Sequence, residues 1–220
     1  MVQAGPAPGF SFVKERAATL DPGAVFPIVP NLCLEFASVK GIVFTEFLEM
    51  VEARYSPALV EDLIDAADVP SKCVYTAVGT YPPTEMFSLV TALSAKTGVP
   101  IPALLKLFGE YLFSSFELKY SKFFEESKTA FDFLAAVETY IHKEVIKLYP
   151  DAELPSFAVE VHGPAFFSMI YTSKRPLADL CEGLMIGCLK HFNETAEIVR
   201  EDLQSGAQTR VRFKIRKFGA

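Results

Sequence analysis

The segment Phe157–Arg175, FAVEVHGPAFFSMIYTSKR, shows the change of hydrophobic periodicity that decides the fold class of this 220-residue chain. Apolar side chains alternate over residues 157–161 and again over residues 167–171, where Ser173 and Arg175 continue the period, and Gly163–Pro164 separates the two runs. A period of two is typical of β-strands, and a short turn-forming break favours pairing between neighbours. The segment therefore predicts two paired antiparallel strands.

The second run ends in YTSKR, at Tyr171–Arg175, directly before Pro176. Side chains two residues apart project from the same face of a strand, so Tyr171, Ser173 and Arg175 are expected to form one row. Two hydroxyl groups and a planar guanidinium suit the recognition of a carboxylate or a phosphate. The alternative is an ordinary half-exposed strand, because these residue types are also common at strand edges.

The chain upstream of these strands shows helical periodicity. Apolar residues recur at helical spacing from Ile42 onward, and helix-start signals follow at Ser56–Pro57, Pro82–Pro83 and Pro102. A further amphipathic helix is predicted over residues 129–149, before a proline that stops it. The N-terminal half is therefore predicted to be helical.

Beyond YTSKR the sequence predicts one more helix, over residues 177–192, and a closing β-hairpin with its turn at Ser205–Gly206. The last strand alternates apolar residues with four basic ones between Arg210 and Arg216. A solvated face is the first interpretation of these charges, and a docking surface for an acidic partner is the second. The whole pattern predicts an α+β fold with a helical N-terminal subdomain and a C-terminal antiparallel sheet with packed helices.

His142 lies beside the apolar stripe of the helix predicted over residues 129–149. A histidine in this position is more often a satisfied structural residue, but a neutral imidazole is also a frequent ligand of haem iron. His162 and His191 stand near a predicted turn and a helix end, and both are expected to lie at the surface. His142 is therefore the candidate ligand.

The composition limits the classes of function. Half of the residues are hydrophobic, with 20 Phe, 8 Tyr and no Trp, which indicates a globular domain with an aromatic interior. The net charge of −6 argues against a nucleic-acid partner, since phosphate binding needs surplus Lys and Arg. No apolar stretch is long enough for a membrane span and no secretory signal is visible, so we expect a cytoplasmic protein without a membrane partner.

Cys33, Cys73, Cys181 and Cys188 form no C-x-x-C pair, which argues against structural zinc. Cys181 and Cys188 share a predicted helix face and are expected to be small buried residues, with a redox switch as the alternative. Common nucleotide-binding, hydrolase and zinc-protease signatures are absent from the sequence. An enzyme with His142 as general base would need a nucleophile or an orienting acid beside it, and none is evident, so we expect no catalytic activity.

From Val39 to Phe218, about four-fifths of its length, the chain resembles the H-NOX (haem nitric oxide/oxygen binding) domain, which also forms the regulatory region of soluble guanylate cyclases. The YTSKR segment matches the Y-x-S-x-R signature of this family at every position. The other matching segments are VKGIVF at Val39–Phe44, VYTAVGTYPPTEMFSLV at Val74–Val90, IHKEVIKLYP at Ile141–Pro150 and LP at Leu154–Pro155.

The resemblance implies a cofactor and the residues that hold it. It makes His142 the proximal ligand of haem b (iron protoporphyrin IX), which would lie between the helical subdomain and the sheet. It assigns Tyr171, Ser173 and Arg175 to the haem propionates, and it places Pro155 against the ring, which this proline distorts.

The resemblance also implies which gases bind. Val43, Phe47, Leu112 and Leu180 align with the distal side of the haem. In oxygen-binding members of the family a tyrosine stands five residues after the signature arginine, at the position of Leu180. Because all four residues are apolar and offer no hydrogen-bond donor, the ferrous protein is expected to bind nitric oxide and carbon monoxide but not to hold oxygen stably.

The implied function is gas sensing. Nitric oxide is expected to weaken the bond to His142, and the resulting conformational change would signal to a separate effector, such as a histidine kinase or a cyclic-nucleotide enzyme. The alternative is a haem-free pocket that binds an apolar carboxylate through Tyr171, Ser173 and Arg175.

The family usually begins with Met-Lys-Gly, where this chain has Val39–Lys40–Gly41. We therefore expect residues 39–218 to form the sensor domain. Residues 1–38 are expected to be an N-terminal extension that is either poorly structured or the product of a mis-assigned start codon.

Overall fold

The structure, a computed structural model, describes residues 38–203, 206 and 208–218. Apart from Ser38, the predicted N-terminal extension lies outside the described residues. The described chain has a helical N-terminal part and a C-terminal part in which helices pack on a four-stranded antiparallel sheet. The predicted α+β fold is confirmed.

The N-terminal part contains four helices and two short strands that pair with each other, and its boundaries follow local signals. The Ser56 hydroxyl accepts a hydrogen bond at 3.2 Å from the backbone N–H of Leu59, and Gly98 ends a helix with a φ of +72°. The elements are β1 (Val39–Lys40), α1 (Gly41–Arg54), α2 (Pro57–Ala67), β2 (Thr80–Tyr81), α3 (Pro83–Thr97) and α4 (Ile101–Lys119).

Aromatic and aliphatic side chains from α1, α3 and α4 fill the core of the N-terminal part. Phe44, Phe47 and Phe108 are fully buried in it. Among the described residues, no single helix is long and apolar enough to cross a membrane. Helices α3 and α4 would be long and apolar enough only if taken together, and they are bent by 112° relative to each other. In α2 only Leu63 is buried.

The segment predicted as one helix over residues 129–149 consists of three pieces. These are α5 (Ala130–Ala136), a π-helical turn (Val137–Ile141) and α6 (His142–Leu148). A π turn contains about one residue more than an α-helical turn, so it offsets the following residues by about 100°. The sequence prediction missed this turn, which directly precedes His142.

The C-terminal sheet has the strand order β3-β4-β6-β5, and every neighbouring pair is antiparallel. The two strands and the hairpin predicted from the sequence are confirmed, although Ser205 of the predicted turn lies outside the described residues. One correction concerns Arg175, which follows the end of β4 by two residues and is not part of the strand. The elements are β3 (Ser156–His162), β4 (Phe166–Ser173), α7 (Ala178–His191), β5 (Ala196–Leu203) and β6 (Thr209–Lys217).

Three basic side chains of β6, those of Arg212, Lys214 and Arg216, are paired with carboxylates of the neighbouring strands. Arg212 binds Glu160 at 2.7 Å and Glu201 at 3.1 Å, and Lys214 also binds Glu201 at 3.0 Å. The hydrogen bond from Arg212 lowers the pKa of Glu160. Since these charges neutralise one another, the solvated face is the interpretation that the structure supports, rather than a docking surface for an acidic partner.

Helices α4 and α7 join the two parts through a very close contact. A Cβ atom built on Gly183 would overlap the carbonyl oxygen of Lys106, and one built on Gly109 would overlap that of Leu180. Only glycine allows two helix backbones to approach in this way. This contact fixes the relative position of the two cores.

We therefore expect Gly183→Ala to lower the free energy of unfolding by about 1–3 kcal/mol, because the added methyl group must push α7 away from α4. Chemical denaturation measures this change. Gly163→Ala is the control, since a Cβ there would lie 3.4 Å from its nearest neighbour, the Phe166 carbonyl oxygen. Equal stability of the two variants would contradict the close-contact interpretation.

Candidate functional site

A cavity of about 330 Å³ lies between the helical part and the sheet, within the range of small-molecule binding sites. One wall comes from β1, α1 and α4, and the other comes from the π turn, α6, β4 and α7. Its lining is mostly aliphatic and aromatic, as Val43, Leu112, Phe116, Ile141 and Leu180 illustrate. The cavity therefore suits a ligand that is largely apolar.

His142 lines this cavity from the first residue of α6. Its side chain is 16% exposed, and its Nδ1 atom lies 3.2 Å from Oε2 of Glu138. Burial lowers the pKa of His142, and the Glu138 carboxylate opposes this shift. The imidazole is therefore neutral at neutral pH and able to bind a metal ion through its other nitrogen.

Glu138 is the functional candidate that the sequence analysis missed. Its Oε2 atom accepts hydrogen bonds from Nδ1 of His142 and from the backbone N–H of Phe157, the latter at 3.1 Å. The spacing of four residues between Glu138 and His142 was the available signal, because such pairs share a helix face. The expectation that no orienting acid stands beside His142 was wrong.

The predicted row of Tyr171, Ser173 and Arg175 also lines the cavity, and all three residues are buried. The Ser173 hydroxyl accepts a hydrogen bond from the backbone N–H of Arg175 at 3.0 Å. The Arg175 guanidinium donates to the backbone carbonyls of Ser38 and Glu153. Burial raises the pKa of Tyr171 to about 12, so its phenol remains a hydrogen-bond donor.

Arg175 is a buried cation that has no paired anion among the described residues. It is 7% exposed, and no carboxylate of the described chain lies within ion-pair distance of its guanidinium. Burial lowers the pKa of Arg175, but a guanidinium does not lose its proton in proteins. Because buried charges are normally paired, the site favours a ligand with an anionic group.

The remaining predicted site residues divide into two groups. Pro155, Val43, Leu112 and Leu180 line the cavity. Phe47 is not among the lining residues, because it lies in the N-terminal core and packs edge to face against Phe108 at a centroid distance of 5.2 Å.

The other histidines lie away from the cavity lining. His162 is exposed, as predicted, and its Nε2 atom is 3.4 Å from Asp132. His191, also expected at the surface, is 23% exposed and lies 3.0 Å from Glu117, while its ring packs against Phe124 and Phe192. No group of three His, Cys, Asp or Glu residues in the described ranges could hold a metal ion.

The predicted burial of Cys181 and Cys188 is confirmed. Burial raises the pKa of both thiols, and Cys181 also lines the cavity. Thiols in this state are poor nucleophiles, which favours the interpretation as small buried residues over the redox switch.

This α+β scaffold encloses an apolar cavity whose lining includes one histidine and a buried arginine that pairs with no described carboxylate. Such a site defines a class of proteins that bind an apolar ligand carrying an anionic group. Residues 40–200 match the profile of the haem-NO-binding family, HNOB. The chain therefore belongs to the haem-NO-binding family of haem-based gas-sensor domains, and the resemblance stated from its sequence is confirmed.

Solved structures agree with this assignment. The Fe(II) unliganded H-NOX protein from K. algicida is 41% identical, with a TM-score of 0.77, over 83% of this chain and 98% of that chain. The H-NOX from Shewanella woodyi, solved with IWP-051 in the Fe(II)CO state, is 36% identical, with a TM-score of 0.71, over 83% of this chain and 97% of that chain.

A more distant relative shares the fold. The H-NOX protein from S. oneidensis in the Fe(II)NO state is 24% identical, with a TM-score of 0.75, over 82% of this chain and 100% of that chain. Comparison with curated protein sequences gives no match.

Proposed function

We propose that this chain is a nitric-oxide sensor that holds haem b in the cavity between its two parts, with His142 as the proximal ligand. One observation carries the proposal: a half-buried neutral imidazole and a buried guanidinium with no carboxylate partner among the described residues line the same apolar cavity. A haem needs a ligand for its iron, a cation for its propionates and an apolar enclosure for its ring.

The residues of the cavity fit this group by charge. The described chain offers Arg175 only backbone carbonyls, so a propionate would be its first paired anion. We propose that Tyr171 and Ser173 add hydrogen bonds from the same end of β4. Pro155, in the loop before β3, is proposed to pack against the ring.

When bound, haem supplies an iron atom with an open coordination position for a diatomic gas. We propose that the chain itself supplies the conformational response to gas binding. No residue of the π turn or of α6 is buried, and the main contacts of this segment with the rest of the fold are made by the π turn to α5 and β3. A segment with so few packed contacts moves at low free-energy cost, so we propose that it transmits a displacement of His142.

The proposed output is a contact with a separate signalling protein in the cytoplasm, such as a histidine kinase or a cyclic-nucleotide enzyme. We assign residues 39–218 to the sensor domain, an assignment supported by the family match over residues 40–200. Residues 1–38 are proposed to be an extension of it.

His142→Gly should abolish the Soret absorption band of protein purified from haem-replete cells. Added imidazole should restore part of the band, because it occupies the space that the side chain leaves. His162→Gly serves as the control, since His162 is exposed and outside the cavity lining. Colourless wild-type protein that retains a fatty or aromatic carboxylate would instead support the second candidate function, in which Arg175 binds that carboxylate without haem.

Arg175→Ala should accelerate haem loss more than Ser173→Ala does. The arginine contact is charge-assisted and is worth about 1.5–3 kcal/mol, against about 1 kcal/mol for a neutral hydrogen bond. Transfer of haem to an acceptor protein measures both rates, and the melting temperature of each variant controls for the lost Ser38 and Glu153 contacts. Arg175→Lys should not rescue fully, because lysine lacks the planar fork. Equal loss rates would argue against the propionate assignment.

The reduced protein should bind nitric oxide and carbon monoxide but should not hold oxygen stably. Oxygen requires a hydrogen-bond donor at the distal side, and Val43, Leu112 and Leu180 provide none. Absorption spectra of the reduced protein in air test this, and a long-lived oxygen complex would refute it.

Leu180→Tyr is the matched variant, because it introduces a hydrogen-bond donor at the proposed distal side of the haem. Leu180 also lines a second apolar cavity of only about 10 Å³, so the added ring must extend into the large cavity. We therefore expect some oxygen affinity together with a slower rate of carbon monoxide binding.

A further inference from the structure

Glu138 occupies a position that connects the helix segment of His142 to the sheet. A single oxygen, Oε2, lies 3.2 Å from Nδ1 of His142 and 3.1 Å from the backbone nitrogen of Phe157. Phe157 belongs to β3, so the carboxylate is held by a strand as well as by its own helical turn. The ring of Phe157 also packs against His142, at a centroid distance of 5.5 Å.

These contacts restrict the imidazole in two ways. An ionised carboxylate can only accept hydrogen bonds, so Nδ1 of His142 must carry the proton and Nε2 must carry the free electron pair. An isolated Glu–His pair four residues apart would be loose, because a 42% exposed side chain samples several rotamers. The second bond, to the backbone of β3, selects one of them.

Among the described residues, no carboxylate other than that of Glu138 lies within hydrogen-bond distance of His142. Glu144, in α6, pairs with Lys147. Glu153 contacts Arg175 through its backbone and lies 3.9 Å from Lys174 through its side chain. Glu138 is therefore the acid that reaches His142.

We propose that Glu138 is a positioning residue that fixes the tautomer and ring orientation of His142 and increases the electron donation of its Nε2 atom to iron. This inference rests on the proposed role of His142 as the haem ligand. A carboxylate hydrogen-bonded to a ligating imidazole makes the ligand more basic, which strengthens the metal bond and stabilises the oxidised metal.

Glu138→Gln tests the inference because the amide oxygen can still accept from Phe157 while the negative charge is lost. In the haem-loaded full chain, we expect a lower iron–histidine stretching frequency, a higher reduction potential and haem loss about 10-fold faster or more. Glu144→Gln is the matched control, because it removes one negative charge from α6, the helix that begins at His142, without removing a contact of His142. It should leave all three values unchanged.

A measurement on the wild-type protein makes the test independent of any variant. In the diamagnetic carbon monoxide form, the Nδ1 proton of His142 should be visible by NMR as a downfield signal protected from exchange. The signal should move upfield in Glu138→Gln and stay in place in Glu144→Gln.

Failure of the proposed function and failure of the proposed role of Glu138 would give different results. Wild-type protein that takes up no haem, or that keeps it in His142→Gly, overturns the proposed function. A haem-loaded Glu138→Gln variant with the wild-type stretching frequency, potential and rate of haem loss overturns the role of Glu138 alone, as does a wild-type Nδ1 proton that exchanges freely.

Discussion

The burial of the Arg175 guanidinium is the constraint on which the arrangement of the site depends. A charge removed from water must keep its hydrogen bonds, and Arg175 finds them at the carbonyls of Ser38, before β1, and Glu153, before β3. One side chain at the end of β4 thereby joins the start of the N-terminal part to the loop that carries Pro155. The same geometry keeps a positive charge at the edge of an apolar cavity, where an anionic group of a ligand would be bound.

The elements that line the cavity differ in how firmly they are packed. The α4–α7 contact brings backbones together at Gly109 and Gly183, so these helices form a stiff support. The π turn and α6 have no buried residue, and polar contacts hold their ends. Glu138 binds the backbone of β3 at one end, and beyond the other end Asp151 forms a 2.7 Å ion pair with Lys40. A cavity lined by both a firmly packed and a weakly packed element suits a sensor, because ligand binding can move the second relative to the first.

The outer face of the sheet is consistent with a protein whose function lies in its interior. Arg212, Lys214 and Arg216 of β6 pair with carboxylates from β3 and β5, so most of the positive charge of this strand is neutralised. The buried charge of Arg175, which pairs with no carboxylate in the part of the chain that the structure describes, is instead at the cavity. The electrostatic asymmetry of the C-terminal part therefore points to the ligand site rather than to an acidic partner at β6.

The sequence alone determined the fold class, most element boundaries and the resemblance to the family, because these depend on local signals. Hydrophobic periods of 3.6 and 2, proline and glycine positions, and the YTSKR and IHKEV segments are all readable within short windows. Tertiary structure decided the rest. Periodicity did not show the π turn before His142. The link from Glu138 to Phe157, the location of Phe47 outside the cavity lining and the lack of a carboxylate partner for Arg175 among the described residues depend on contacts between residues distant in sequence. Periodicity predicts which face of a helix or strand is apolar, but it does not specify which other element packs against that face. That packing determines which polar side chains form hydrogen bonds or ion pairs.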